Sequence, residues 1–425
     1  MATMVLLGVS PKALPFKVPA ADDQIIGSQV SQSPHLTHPN PLEHPAIPPF
    51  LAEIQAEAIN PEVLPLRPVA LEHLSPTLGL DPQIWGWEGF DRDWQTLLKA
   101  VDHSLAYLGT PAAIEAYADY PIAEISHRRV TQSLQRFRQL LFTARSPQDL
   151  QRQVQAEFVF YQATGKDHQG TVDFTGYFEP TYQASPYPTS QYTYPLYRRP
   201  ADLDTWSQPH PTRTALEGAT GIAPATSPLK GLELVWLADR LEAYLIQVQG
   251  SARLQLTDGT VMGVGYAGRT EYPYRSLGRA LVEAGHFSLE ALTLPKVIGY
   301  FQDHPQDLDQ FIPLNDRFIF FQSTQSSAPI GSLQVPVLAE RSIATDKSLM
   351  PPGALALLQA ELPYLDTQGN FQQRSVSRYV LDQDTGGAIQ GAGRADIFMG
   401  TGQIPGERAG LINTQGQMFY LLLKE

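Results

Sequence analysis

Asp384 and Asp396 flank the glycine-rich run of DQDTGGAIQGAGRADIFMG (residues 382–400), where three aspartates and Arg394 are the only charged residues. Carboxylates set in an otherwise uncharged stretch are candidates for proton transfer. Partial removal from water favours the protonated form, because desolvation penalises the charge. An acid poised in that way can protonate a leaving oxygen and then, as carboxylate, take a proton back. Asp396 stands between the tight GAGRA run and the apolar triplet Ile397-Phe398-Met399, and it fits that demand. It fits equally a residue that caps a turn or pairs with Arg394 at the surface.

Other chemistries fit less well. A phosphate cradle built on GGAIQGAG would need a following Lys-Ser/Thr pair or a strand-to-helix turn, and a strand pattern follows instead. Asp384-Thr385-Gly386 is the tripeptide carried by each lobe of a pepsin-like aspartic protease, but that chemistry needs two carboxylates sharing one proton. No second Asp-Thr/Ser-Gly occurs: Asp366-Thr367, for one, continues with Gln368. Asp384, Asp396 and a further carboxylate would offer oxygen ligands to calcium or magnesium. Their spacing matches no calcium loop, and no nearby histidine pair suits zinc. A Ser-His-Asp triad lacks its GxSxG anchor. With zero cysteines, the chain has no thiol nucleophile, thiolate metal site, disulfide or cysteine-borne lipid anchor. No metal and no cofactor is expected.

The elements that must position these carboxylates follow from the rest of the chain. A length of 425 residues, 43% of them apolar, suits two domains and a tail. Only 17% of residues are charged, while 36 prolines and 32 glycines supply turns, which favours a β-rich fold. The net charge of −13 argues against nucleic acid as a partner, since binding phosphates needs a concentrated basic surface. No stretch approaches the ~20 apolar residues of a spanning helix. MATMVLLGVSPKALPF, at the start, has no basic segment before its apolar run and makes a poor secretory signal.

Residues 1–85, rich in proline, histidine and serine, read as an N-terminal arm. His35, His38 and His44 are spaced too irregularly for a metal site and read as solvated loop residues. Helical spacing runs through Trp94, Leu97, Leu98, Val101, Leu105 and Leu108. It recurs over residues 123–142 in Ile125, Val130, Leu134, Phe137 and Leu141. A third helix starts at Ser146-Pro147 and is expected to bury Leu150, Val154, Phe158 and Tyr161. Beyond Gly170, β-branched and aromatic residues between glycines and prolines predict strands over 171–185 and 192–200. Residues 231–268 read as strand, turn, strand and a hairpin turning at Asp258-Gly259. Helices are expected around 274–285 and over 288–303. RFIFFQ, VPVLAE, ALALLQAEL, SRYVLDQD, DIFMG and QMFYLLLK read as short strands. Many short strands joined by glycine turns predict a barrel.

Several stretches occur in a telling order: DFTGYFEP (173–180), YPLYRRP (194–200), LIQVQGSARLQLTDG (245–259), GYAG (265–268), YRSLGRALVEAG (274–285), FIFFQ (318–322) and RSIATDKSLMPPG (341–353). The aspartate stretch and GERAGLINTQGQMFYLL (406–422) complete the set. Together they resemble the membrane-bound lytic transglycosylase A family, which ends in a three-aspartate domain. The resemblance covers residues 90 to 425. It implies non-hydrolytic cleavage of the β-1,4 bond between N-acetylmuramic acid and N-acetylglucosamine in peptidoglycan, leaving 1,6-anhydromuramyl ends. The implied fold is mainly β with N-terminal helices: a double-psi β-barrel with a second β-barrel inserted. The catalytic barrel domain would comprise residues 86–180 and 306–425, and the insert lining the glycan groove residues 181–305.

By position in its motifs, the resemblance maps the three aspartates onto Asp346, Asp384 and Asp396, with Asp396 catalytic. Asp384, Asp346 and Arg394 are expected to support it, Asp384 by accepting hydrogen bonds from glycine-rich backbone or by holding a neighbour in place. Tyr177, Gln249, Gly250, Ser251 and Tyr266 fall in groove-lining motifs. Aromatic faces and neutral hydrogen-bonding groups are what sugar recognition uses. The implied partner is the peptidoglycan glycan strand, and the implied location the periplasm or cell envelope. An ordinary glycosidase needs two carboxylates, one of them to activate water or attack the sugar. Attack by the substrate's own 6-hydroxyl removes that need, because effective molarity replaces a second base. The contrasting expectation is a wall-binding protein with the same groove and no turnover, which would not need Asp396. Two features depart from the family pattern: the chain lacks a cysteine for a lipid anchor, and its arm has no counterpart.

Overall fold

The structure, a computed structural model, describes residues 64–288, 292, 294–324 and 328–425. It opens with β1 (Leu66–Val69), followed by α1 (Trp94–Leu108), α2 (Pro111–Ala118), α3 (His127–Thr143) and α4 (Pro147–Glu157). Thr110, Ser126 and Ser146 cap α2, α3 and α4, each accepting from the backbone N–H three residues on. Each satisfies a donor that the first turn leaves without a partner. The Ser126 cap is why α3 starts at His127 and not near residue 123. The apolar faces of α1 and α3 meet in the core, where Leu97, Val101, Leu134 and Phe137 are buried. Phe158 and Tyr161 are buried as expected, but from β2 (Phe158–Ala163) and not from the helix. Their aromatic and β-branched run gains strand partners on both sides.

Strand β3 (Val172–Glu179) leads through Pro180 into a second sheet. Its strands are β4 (Thr181–Ser185), β5 (Tyr194–Tyr197), β6 (Glu233–Leu237), β7 (Ser251–Leu256), β8 (Val261–Arg269) and β9 (Ile319–Thr324). Between them run α5 (Arg213–Glu217), α6 (Arg240–Gln249), α7 (Leu277–Glu283), α8 (Leu294–Asp303) and α9 (Leu308–Phe311). The chain then returns to the first sheet in β10 (Ser342–Ala344), β11 (Leu355–Leu365), β12 (Phe371–Asp384), β13 (Arg394–Thr401), α10 (Gln403–Leu411) and β14 (Asn413–Leu423).

The first sheet runs β1-β2-β14-β11-β12-β10-β13-β3, and β3 pairs also with β14. The six strands from β14 round to β3 therefore close into a barrel, with β2 and β1 continuing from it. The second sheet runs β5-β6-β4-β7-β8-β9. A bridge from Arg198 to Phe321 joins its two edges. The expected class is the one observed: mainly β, with N-terminal helices, and a second barrel inserted between β3 and β10 of the first.

Three expectations are corrected, and one helix was missed. Residues 240–249, expected as a strand, form α6. Asp239 accepts from the N–H groups of Leu241 and Glu242, and Gly250, at φ +78°, ends the helix. This helix is buried from Leu241 to Gln247 with only Glu242 half-exposed, so it lacks the polar stripe that betrays helical spacing. VPVLAE forms no strand: Ile330 and Pro336 share one bridge, Pro336 has no N–H for a ladder, and Glu340 turns the chain at φ +59°. Helix α10 was not foreseen, because its Pro and Gly are poor helix formers. Finally, the arm expected over 1–85 is firmly packed from Leu66 on. Leu66, Leu78 and Ile84 are in the first core, and β1 pairs with β2. Asp81 accepts from Arg341 Nη1 at 2.5 Å and from the Tyr379 N–H at 3.2 Å. Residues 1–63, with His35, His38 and His44, lie outside the described residues.

Candidate functional site

Strand β10 brings the two carboxylates to one level of the barrel. Its Ala344 is the register partner of Asp384 on β12, in parallel, and of Asp396 on β13, antiparallel. One strand thus separates the two aspartates, which puts their Cα atoms roughly 10 Å apart. Both border a cleft of about 730 Å³ between the two barrels. Tyr177, Gln249, Gly250, Ser251, Tyr266 and Asp346 border it too, while Arg394 lies behind Asp396.

Asp396 is 8% exposed. Thr175, its register partner on β3, donates its hydroxyl to Asp396 Oδ1. Arg394 Nη2 donates to Thr175 Oγ1 at 3.2 Å and stands 3.5 Å from the same carboxylate oxygen. Arg394 is itself buried, so the Arg394–Asp396 pair is internal and not a surface one. Oδ2 of Asp396 bonds no described residue. One oxygen is fixed and the other is left for chemistry.

Asp384 is half-buried at the end of β12. Its Oδ1 accepts from the N–H groups of Ser332 and Thr385, each at 2.8 Å, and its Oδ2 from the Tyr177 hydroxyl at 2.8 Å. Burial raises this carboxyl above its usual 3.8, against those donors and the Lys347 charge. The Tyr177 ring packs on Phe398 with centroids 5.2 Å apart. Burial, and then the Asp384 charge, push the Tyr177 phenol well above its ordinary value. Asp384 shares no proton with another carboxylate, so its tripeptide lacks the partner an aspartic protease requires.

Of the two roles expected of Asp384, it is the holding of a neighbour, Tyr177, that these contacts display, while a glycine of the run is held by Asp346. Asp346 Oδ2 accepts from the Gly391 N–H at 2.8 Å, and Oδ1 from the Ser348 N–H and hydroxyl at 3.0 and 2.6 Å. It ties the run before Asp396 to the turn after β10.

Three residues were not singled out in the sequence. Thr175 gave no signal; only the register of β3 against β13 reveals it. Asp382, fully buried, accepts from Thr345 Oγ1 at 2.7 Å, from the Tyr420 hydroxyl at 2.6 Å and from Lys347. It is the first aspartate of the DQDTGG stretch, and that charge in an apolar strand is the signal that was available. Lys347 also donates to the Asp384 carbonyl, joining this buried cluster to the cleft.

The facing wall comes from the second barrel. Gln249 ends α6, and its Oε1 accepts from the Phe178 N–H of β3 at 3.5 Å. Gly250 holds the left-handed position between α6 and β7, a conformation that strains any residue with a Cβ. Ser251 opens β7 opposite Gly265 of β8, and the neighbouring Tyr266 is 47% exposed. Among the described residues, no group of three or more His, Asp or Glu is gathered where it could hold a metal ion. The geometry offers one acid with an open oxygen, a polar support around it, and a wall of aromatic and amide groups.

Comparison with known proteins places these features. A family model described as the MltA specific insert domain matches residues 173–322, and one described as the 3D domain matches residues 341–422. The chain is 32% identical over 264 residues to membrane-bound lytic murein transglycosylase A of Escherichia coli (strain K12), spanning 61% of this chain and 68% of that protein. It is 30% identical over 270 residues to the Vibrio cholerae protein of the same name, spanning 62% and 68%. Among solved structures, the membrane-bound lytic murein transglycosylase from Agrobacterium tumefaciens matches with a TM-score of 0.65 at 24% identity, over 84% of this chain and 97% of that one. E. coli MltA with bound chitohexaose matches at 0.64 and 24%, over 85% and 96%. The two structures share this fold.

Proposed function

The chain belongs to the membrane-bound lytic murein transglycosylase A family, and from that premise we propose how its cleft acts on peptidoglycan. The enzyme is a peptidoglycan lytic transglycosylase, a lyase. In our reading it breaks the β-1,4 bond between N-acetylmuramic acid and N-acetylglucosamine, with Asp396 as the single acid and base.

Asp396, protonated, gives its proton to the bridging oxygen as the bond from that oxygen to the muramyl anomeric carbon breaks. The muramyl 6-hydroxyl forms a new bond to the same carbon and gives its proton to the Asp396 carboxylate. The acid is restored, water is not consumed, and the product ends in a 1,6-anhydro ring. Holding nucleophile and electrophile in one molecule supplies the effective concentration that a second carboxylate would otherwise provide. One observation carries this reading: Asp396 has one oxygen held by Thr175 and the other unbonded by any described residue at the cleft. Asp384, its oxygens taken by Ser332, Thr385 and Tyr177, supports the site from the neighbouring wall.

Glycan strands are the proposed ligand, in keeping with the chitohexaose bound to the E. coli relative. We place the enzyme in the cell envelope, where its substrate lies, and more narrowly in the periplasm; among the described residues no helix is long and apolar enough to cross a membrane. We divide the chain into a catalytic lobe, residues 66–180 with 328–425, and an inserted lobe, 181–324; the boundary expected at 305 moves because β9 pairs with β8 in the second sheet. Digestion of purified sacculi, with fragments weighed by mass spectrometry, tests the proposal. Anhydro ends are expected; reducing ends would mean hydrolysis, and absence of release would mean a binding protein.

A further inference from the structure

The sugars of the proposed substrate are neutral, but muramic acid carries an acid on its lactyl ether, either free or extended by a peptide with carboxylates of its own. The cleft wall opposite Asp396 answers that charge. In a chain of net charge −13, Arg269 at the end of β8 and Arg317 just before β9 converge on Gly387. A Cβ at Gly387 would lie 2.0 Å from Arg317 Nη1 and 3.5 Å from Arg269 Nη1, so the two nitrogens are no further apart than the sum of those distances. Beyond Tyr266 the cleft runs on into a second depression of about 680 Å³, bordered by Arg198 and Arg199. Arg198 and Arg269 form no ion pair with any described carboxylate. Arg199 holds Asp204 at 2.5 Å, and Asp204 is exposed to solvent. Burial raises the Tyr266 phenol above its ordinary value, while Arg269, Arg317 and Arg199 pull it down. Cations crowded around one tyrosine repel each other, and a carboxylate relieves that repulsion while accepting charge-assisted hydrogen bonds.

We propose that Arg269 and Arg317 beside Tyr266, with Arg198 at the depression beyond it, form a carboxylate subsite that takes the acidic substituent of muramic acid. The inference rests on the glycan-cleaving reading above. Its consequence is register: an alternating strand would bind with its muramyl residues, and not its N-acetylglucosamine residues, turned to this wall.

Calorimetric titration of the full chain carrying Asp396→Asn, to block turnover, tests it. Three probes are used: chitohexaose, which is neutral; glycan oligomers stripped of peptide, which keep the lactyl carboxyl; and oligomers with intact peptides. Adding Arg198→Gln and Arg269→Gln together should weaken an acidic probe roughly tenfold, the scale of one charge-assisted hydrogen bond, and leave chitohexaose unchanged. Loss on the stripped oligomers identifies the lactyl carboxyl; loss only on the peptide-bearing ones identifies the peptide. Retained chitohexaose binding also shows that the variant is folded. Equal weakening of all three probes, or no weakening of either acidic one, overturns the subsite. Failure of every probe to bind before the arginines are changed overturns the glycan reading itself, which is a separate result.

Discussion

The Tyr177 hydroxyl donates to Asp384 Oδ2 at 2.8 Å, joining β3 to β12 across 207 residues of sequence. The bond favours the charged carboxylate, whereas burial favours the neutral acid. Tyr177→Phe removes the donor and should lift the Asp384 carboxyl further. Because a raised carboxyl contributes stability at low pH that is lost as pH rises through its folded value, the variant should be destabilised more at neutral pH than in acid. About 1.5–3 kcal/mol is expected near pH 7, the scale of a hydrogen bond to a charged group. Urea unfolding at several pH values measures it, and a pH-independent loss would contradict the account.

Asp396→Asn keeps the shape of the side chain and its contact with Thr175 but cannot pass a proton. Release of anhydromuropeptides should fall by roughly a factor of 10²–10⁴, the usual weight of general acid–base catalysis. Binding of chitohexaose should be unchanged. Undiminished turnover would remove Asp396 from the mechanism.

Gly176 sits beside Thr175 where α10 crosses β3. A Cβ there would lie 2.7 Å from the Ala409 Cα, backbone that cannot swing aside. Gly176→Ala should cost about 1–3 kcal/mol, as overpacking does elsewhere. Thermal unfolding should show it. Activity should drop with it, since the displaced strand carries Thr175.

Glu340 accepts from Arg408 Nη1 at 2.6 Å and from the Tyr364 hydroxyl at 2.9 Å, with Arg378 at 3.5 Å. Burial would raise its carboxyl, but Arg378 and Arg408 outweigh that and pull it from 4.5 down to about 2. Its stabilising contribution is present above pH 4.5 and is lost as pH falls through about 2. At neutral pH that contribution is on the order of 3 kcal/mol. The stability gap between the wild type and Glu340→Gln should therefore hold from pH 7 to about 5 and narrow below it. A gap that stayed constant down to pH 3 would refute the assignment.

Much of the barrel was legible because its strands alternate or carry β-branched runs: DIFMG and SRYVLDQD fall within strands, and QMFYLLLK overruns β14 by Lys424 alone. The helical faces of α1 and α3 were equally plain. What escaped had physical reasons. Helix α6 is buried nearly all round and shows no stripe. The packing of residues 66–85 depends on Arg341, an ion-pair partner 260 residues away from Asp81. The aspartates drew notice through charge contrast and through family likeness. Thr175 and the open Asp396 oxygen are products of strand register, which local sequence does not encode.

Closure of the first barrel through β14 also sets when the protein can fold. That strand pairs with β3, β11 and β2 in turn along its length, and it follows each of them in the sequence. Until it pairs, β2 has only β1 beside it and β3 only β13, so one edge of each is open and the helices α1 and α3 have no completed surface to cover. Pairings of such long sequence separation form late and slowly. A chain in which β14 has not yet paired thus carries apolar strands uncovered, a form that chaperones bind and that aggregates when they are scarce.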